Sequence, residues 1–339
     1  MRQMHVSSLL LLLLVLLVAS FSVVVVSGEV LALDGICGGA TPCECGDILI
    51  ASRTLVSGVD PITTTVCPGD GLSLEGGAFL DLGGNTIRGT STGVGVLIVL
   101  SGGFTITNGR IARFAIGIRG SDTSGNHFTG LQLSANSSVG ISLGESNGNV
   151  IARNVISRMT CGRHGIAVSG GRNEIRLNRV EFNSFAGFAP AGIHVGSDRG
   201  EPNANSVSRN VVRLNKSCGS TPVAGLTIQG NGATVELNRS EDNDGDGFVI
   251  DSVDENQDGM TVVRNIALRN GENGFRVSAP ASRFDGNRGH YNKGFGFLDA
   301  STGGGTGGTA NTYTNNLCRE RPRRLDAVWS MPVVLIGAM

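Results

Sequence analysis

The chain has 339 residues, enough to bury a large core, and its 27 basic and 28 acidic side chains leave a formal net charge of −1. That balance gives no electrostatic reason for nucleic acid or an anionic membrane as partner. With 5% aromatic residues and 52 glycines, the chain has too little aromatic bulk and too many turn formers for a compact α/β enzyme of this size. The numbers fit a repetitive all-β chain that turns often, at residues able to adopt positive φ.

Arg2 and His5 precede an apolar run from Leu9 to Val26. A basic start followed by an apolar stretch is the pattern of an export signal, and Val30-Leu31-Ala32 would serve as its cleavage site. The run is also just long enough to span a bilayer as an uncleaved anchor. Small residues after the run and the lack of a basic stop-transfer cluster favour cleavage. The expectation is a leader over 1–32 and a secreted protein, extracellular or periplasmic, that touches a membrane only if the leader is retained.

Seven cysteines agree with an oxidising compartment. Cys37, Cys43, Cys45 and Cys67 crowd residues 33–75 and read as disulfides stapling an N-terminal cap. Cys43-Glu44-Cys45 is too tight for a zinc knuckle, and no histidine lies nearby to complete one. Cys161 and Cys218 form a second expected bridge, which leaves Cys318 as the odd cysteine.

Beyond the cap, a glycine followed by an apolar–any–apolar triplet recurs. It begins Gly140-Ile141-Ser142-Leu143, Gly165-Ile166-Ala167-Val168 and Gly192-Ile193-His194-Val195, and runs on to Gly296-Phe297 at intervals of 22 to 33 residues. Between these anchors asparagines recur five apart, as in Asn178/Asn183, Asn210/Asn215, Asn238/Asn243, Asn265/Asn270 and Asn287/Asn292. Each repeat holds three short period-two segments, too short for helices. One such unit cannot bury its apolar side, but units stacked about 4.8 Å apart can. The fold expected over 76–318 is a parallel β-helix of about nine coils, single-stranded and right-handed, behind the disulfide-rich cap. Asparagines at equivalent turns would form ladders and tolerate a left-handed backbone there. Ile175, Val207, Val235, Val262 and Phe284 would form one buried stack.

The opening Cys45-Gly46-Asp47, Cys67-Pro68-Gly69-Asp70-Gly71-Leu72 and Leu80-Asp81-Leu82-Gly83-Gly84-Asn85 resemble the first coils of bacterial right-handed β-helix repeat proteins. The asparagine and glycine series downstream resembles NosD-type and pectate-lyase-like repeats. The likeness covers about residues 43–318 and speaks for fold far more than for function. Residues 319–339 depart from it: Arg319-Glu320-Arg321-Pro322-Arg323-Arg324 leads into an apolar end with the single tryptophan, Trp329. That tail reads either as a variant cap or as the product of a shifted reading frame.

Enzymes of this fold commonly act on acidic polysaccharides, but their signatures are missing. Asp60-Pro61 is followed by Ile62, not by the histidine of alginate-epimerase-like sites, and Gly289-His290 by Tyr291, not by the glycine of polygalacturonase-like ones. A calcium-dependent, pectate-lyase-like site is the remaining enzymatic route. Asp242, Asp244 and Asp246, then Asp254, Asn256 and Asp258, match the first half of an oxygen-rich calcium loop but lack its closing glutamate. Plain exposed turns are the weightier reading of these residues. For a lyase, Arg239, Arg264 or Arg269 would have to stand beside the cluster as base.

His194 falls in an outward column with Arg119, Ser142, Ala167, Thr227, Val249, Arg276 and Leu298, with no carboxylate among them. A solvated surface histidine is the expectation there. A second column, Ser157, Glu181, Arg213, Glu241, Leu268 and His290, alternates charge and reads as an ion-pair ladder before a catalytic dyad. It could also offer hydrogen bonds to a sugar. The longest insertions, 184–191, 196–204 and 216–224, are where binding would concentrate, and the middle one carries Asp198, Arg199 and Glu201. The functional expectation is a non-catalytic protein that binds polysaccharide or a cell-envelope component, with a calcium-dependent polysaccharide enzyme as the alternative.

Overall fold

The computed structural model describes residues 35–99, 102–196, 204–251, 259–301 and 311–319, and the compact unit begins at Gly35. The expected leader over 1–32, Asp198, Arg199, Glu201, Asp254, Asn256, Asp258 and the residues from 320 on lie outside the described residues. The rest is a right-handed parallel β-solenoid of about ten turns, close to the number read from the repeats. Among the described residues one 3-10 turn, Pro61–Thr63, is the only helical element, and none is long and apolar enough to cross a membrane.

From Val150 to Asp299 each coil contributes one strand to each of three parallel faces, whereas Thr105–Ala112 and His127–Ser134 each run through both the second and the third. The first sheet has 12 strands, from Ile36–Cys37 through Ala191–Gly196, Ala224–Gln229 and Phe248–Asp251 to Phe297–Asp299. The second includes Glu174–Arg176, Ser206–Ser208, Thr234–Glu236, Thr261–Val263 and Arg283–Asp285. The third includes Arg179–Glu181, Val211–Arg213, Arg239–Glu241, Ile266–Leu268 and Arg288–His290. Ile175, Val207, Val235, Val262 and Phe284 pair in register on the second sheet and are all fully buried, as the repeat required.

The core keeps its volume by trading size between sheets within each coil. One coil places Ile175, Val180 and Ile193 inward, and the next Val207, Val212 and Leu226. Where the first sheet then brings in Phe248, Phe275 and Phe297, the third shrinks to Ser240, Ala267 and Gly289. The three phenylalanine rings stack at 4.7 and 4.5 Å between centroids. A close-packed interior demands this compensation, because an unmatched change of even a methylene is felt.

The asparagines stand as expected, in ladders. From Asn154 to Asn316 each ladder asparagine donates its backbone N–H and side-chain amide to the Oδ1 of the asparagine one coil later, with side-chain amide contacts of 2.9–3.1 Å. A second ladder runs Asn183, Asn215, Asn243, Asn270 and Asn292. A third, Asn126, Asn149, Asn173 and Asn205, was not foreseen. The left-handed residue at these corners is the one before the asparagine, not the asparagine: Leu177, Arg209, Leu237 and Arg264 have φ of 53–58°. The asparagine stays in ordinary backbone because both its amide groups are committed to neighbouring coils. Asn136, Asn215 and Asn238, each the first residue of an Asn-X-Ser sequon, are all buried.

The repeat glycines also differ from the composition-based expectation. Gly192 and Gly225 have ordinary φ, and what they supply is space. A Cβ on Gly225 would stand 2.0 Å from Ser240 Oγ, and one on Gly192 would stand 2.3 Å from Val212 Cγ1.

In the cap, disulfides join Cys37 to Cys43 and Cys45 to Cys67, and a third joins Cys161 to Cys218 across 5.7 Å between Cα atoms. Asp60, fully buried, binds the Arg53 guanidinium at 2.7 and 2.9 Å and accepts the Cys43 and Val56 amides. This pairing completes the charge and hydrogen bonding that a buried carboxylate needs.

Candidate functional site

Two of the long insertions act together. Ser184–Phe185 pairs with Lys216–Ser217, and the Cys161–Cys218 bridge lies beside them. On the outside of the first sheet Ala191, Ala224 and Val249 form a small buried apolar strip separate from the core. His194, on the same face, is half-buried rather than fully solvated as expected. The column was assigned correctly, since His194 pairs in register with Ala167 and Thr227. Its ring, however, stacks on His164 at 4.8 Å, and the Nδ1 atoms of both rings are buried without a partner. Burial, with repulsion from His194 and Arg163, lowers the His164 pKa to about 3; burial and Arg163 lower that of His194 to about 4.

Along this strip the same sheet opens into a groove of about 880 Å³, lined in part by Ala224 and Val249. Its floor follows from strand alternation: Leu226, Ile228 and Ile250 point into the core, so Thr227, Gln229, Val249 and Asp251 point out. Arg276 continues the floor one coil on, in register with Val249. One wall is made by Phe188, Pro190, Thr221 and Pro222 of the insertions, the other by Glu272, Asn273 and Lys293. Phe188 is 84% exposed, an aromatic face with nothing packed over it.

Two of the aspartates read as a calcium loop, Asp244 and Asp246, help to build this groove. Asp244 accepts the Ser217 and Val223 amides at 2.5 and 2.7 Å and so fixes the 216–223 insertion. Asp246, 5% exposed, accepts the amides of Asn273 and binds Arg276 at 2.8 Å. Asp242 lies elsewhere, held by both arms of the Arg269 guanidinium. A cation drawing on all three would compete with these partners. Among the described residues no three His, Cys, Asp or Glu side chains converge as a metal-binding group.

Glu181, Arg213 and Glu241 do come together, on the third sheet. Glu181 binds Arg179 and Arg213 at 2.8 and 2.7 Å; Glu241 binds Arg239 at 2.6 Å, with Arg213 and Arg269 within 4 Å. Burial of Glu181 would raise its pKa, but the two arginines outweigh it and hold the carboxyl below its usual range. This is the ion-pair ladder that the alternating charges implied.

In the groove the carboxyls differ in character. Burial first, and then the Asp246 charge, push the Glu272 pKa up, while Asp246 is tied to a guanidinium and two amides. Asp251 accepts from Ser278 Oγ and Gln229 Nε2. The reading of the sequence named Asp246 and saw Arg276 as a column member, but missed Asp251, Glu272 and Phe188. Asp251 was within reach, two residues beyond the outward Val249. Glu272 and Phe188 sit in turns, where period-two logic gives no direction.

Comparison with curated proteins gives no match. Among solved structures the chain is similar to the periplasmic alginate epimerase AlgG (14% identity, TM-score 0.47, 81% of this chain and 68% of that one). It is also similar to a DFA-IIIase from Arthrobacter chlorophenolicus A6 (12%, TM-score 0.36, 80% and 71%). A third likeness is to the catalytic domain of a GH87 α-1,3-glucanase (12%, TM-score 0.32, 80% and 64%). The family model of the right-handed β-helix region matches residues 59–199 and 159–317, which together span most of the described solenoid. The chain therefore belongs to the right-handed β-helix family.

Proposed function

We propose that this protein is exported and binds a glycan chain in the groove of the first sheet. The observation that carries the reading is the lining: an open trough with planar hydrogen-bonding groups on its floor and one wall (Gln229, Asp251, Glu272, Asn273) and an exposed ring, Phe188, on the other. Carboxylates and amides suit the paired hydroxyls of a pyranose, and an aromatic face suits its C–H surface. Three disulfides agree with an oxidising compartment.

The groove carries Asp246, Asp251 and Glu272 against Arg276 and Lys293, with Arg276 already bound to Asp246. That balance disfavours a polyuronate and favours a neutral chain. Screening the full chain against immobilised neutral and acidic oligosaccharides tests the reading. Neutral β- or α-glucans should be retained, and Phe188→Ala with Asn273→Ala should abolish retention, Phe188→Ala alone leaving the melting temperature unchanged. Retention of uronates alone, or binding indifferent to both substitutions, would remove the groove as the site.

One observation favours a catalytic variant of this reading. Glycosidic cleavage uses two carboxyls flanking the bond, one of them an acid of raised pKa; Glu272, pushed up by burial, would be that acid, with Asp246 or Asp251 in the same groove as its counterpart. Release of reducing ends that disappears in Glu272→Gln would establish it. Binding without turnover would leave the groove a recognition site.

A further inference from the structure

The corner between the second and third sheets carries a pattern that neither the groove nor the core explains. On each side of the ladder asparagine stands one solvent-facing residue, and the pairs are Arg153/Val155, Leu177/Arg179, Arg209/Val211, Leu237/Arg239, Arg264/Ile266 and Gly286/Arg288. Every one of these six coils offers one arginine. It alternates between the two positions, with an aliphatic residue opposite in five coils and Gly286 in the sixth. The third-sheet register fixes the second column as Val155, Arg179, Val211, Arg239, Ile266 and Arg288, one above another.

Packing does not require this alternation, since both columns lie outside the core. Its electrostatic effect is clear. No arginine sits directly over another at the ~4.8 Å coil spacing, yet the corner still presents a cation at every coil. Arg179 and Arg239 are paired with Glu181 and Glu241. Arg153, Arg209, Arg264 and Arg288 have no carboxylate within 4 Å among the described residues, and all four are exposed. Between them lie exposed leucines, Leu177 and Leu237. At Gly286, where the side chain is missing, a depression of about 370 Å³ opens between Arg264 and Arg288.

We propose that this ridge binds a linear polysaccharide carrying one anionic group per sugar, lying along the helix axis. The unpaired guanidiniums of Arg153, Arg209 and Arg264 recur every second coil, close to the length of two pyranose units, with Arg288 one coil beyond, so a regular polyanion can meet them in register at every second sugar. Guanidinium forks donate paired hydrogen bonds to carboxylate or sulfate, and the aliphatic residues between them take the C–H faces of the rings. No aromatic ring stands in either column to stack bases, and the chain's net charge of −1 offers no general pull on nucleic acid. The proposal is independent of the groove, which lies on the first sheet.

Affinity electrophoresis of the full chain through gels holding polygalacturonate, dextran sulfate or neutral dextran tests it. Both anionic gels should retard the protein and neutral dextran should not. Retardation in only one of the two would identify carboxylate or sulfate as the anion. Arg209→Gln/Arg264→Gln, a pair engaged in no ion pair, should weaken binding at least tenfold with no change in melting temperature. Glu236→Gln, which removes the carboxylate flanking the ridge on the second sheet, should strengthen it. Phe188→Ala should leave ridge binding intact, so failure of the groove and failure of the ridge are separable. Absence of retardation, or retardation that survives the double substitution, would overturn the proposal. Stronger, arginine-dependent binding to single-stranded DNA or to phosphatidylserine vesicles than to either polysaccharide would overturn it as well.

Discussion

Asn238 sits mid-ladder. Its Nδ2 donates to Val207 O and Asn265 Oδ1 at 2.7 and 3.0 Å, and its Oδ1 accepts from both nitrogens of Asn210 at 2.9 Å. Asn238→Ala would leave several buried groups unmatched, at about 1–3 kcal/mol each, so a loss of about 3 kcal/mol or more is expected in urea unfolding. The residue before it, Leu237, is held at φ 56°, a conformation that costs a leucine about 1 kcal/mol. Leu237→Asn should therefore raise the melting temperature, and a lower one would count against the strained corner. The stacked pair His164 and His194 makes a pH prediction. Their folded pKa values, about 3 and about 4, lie below the ordinary value of 6.5, so the unfolded chain takes up the more protons between these limits. Stability is held above about pH 6.5 and falls as pH drops toward 4 and then 3. His164→Phe/His194→Phe should flatten that slope between pH 7 and 5; an equal loss in wild type and variant would show that other groups govern it.

At the scale of the coil, the trade of volume between sheets is the sharpest test of register. Ala267→Val adds bulk beside Phe275 and should cost about 1–3 kcal/mol by overpacking. Phe275→Leu alone leaves a cavity, yet the double variant should recover a good part of both losses, because the two side chains share one layer. Strict additivity in a double-mutant cycle would mean they do not meet. These layers were legible in the sequence because every inward residue sits at a fixed offset from a ladder asparagine or a repeat glycine. The reason for those glycines was not: composition suggested positive φ, whereas Gly192 and Gly225 are required by the side chains of Val212 and Ser240 opposite. That clash crosses the coil and has no trace in local sequence.

At the scale of the molecule, the solenoid is a rigid prism whose surfaces are set by which residue follows each inward one. The ion-pair column of Glu181, Arg213 and Glu241 could be read from the sequence because strand alternation fixes it. The groove could not, because Glu272 and Phe188 come from turns and Asp244 acts at a distance, fixing an insertion 21 to 27 residues away. Asp244→Ala should loosen that wall, seen as faster amide exchange over 216–223, while the stacked sheets stay protected. The measurement that bears most directly on the account is a crystal structure of the protein soaked with a neutral oligosaccharide retained in the screen. The account predicts a sugar ring against Phe188 with its hydroxyls on Gln229, Asp251 or Glu272. Sugar bound elsewhere on the solenoid, with the groove holding only solvent, would contradict it.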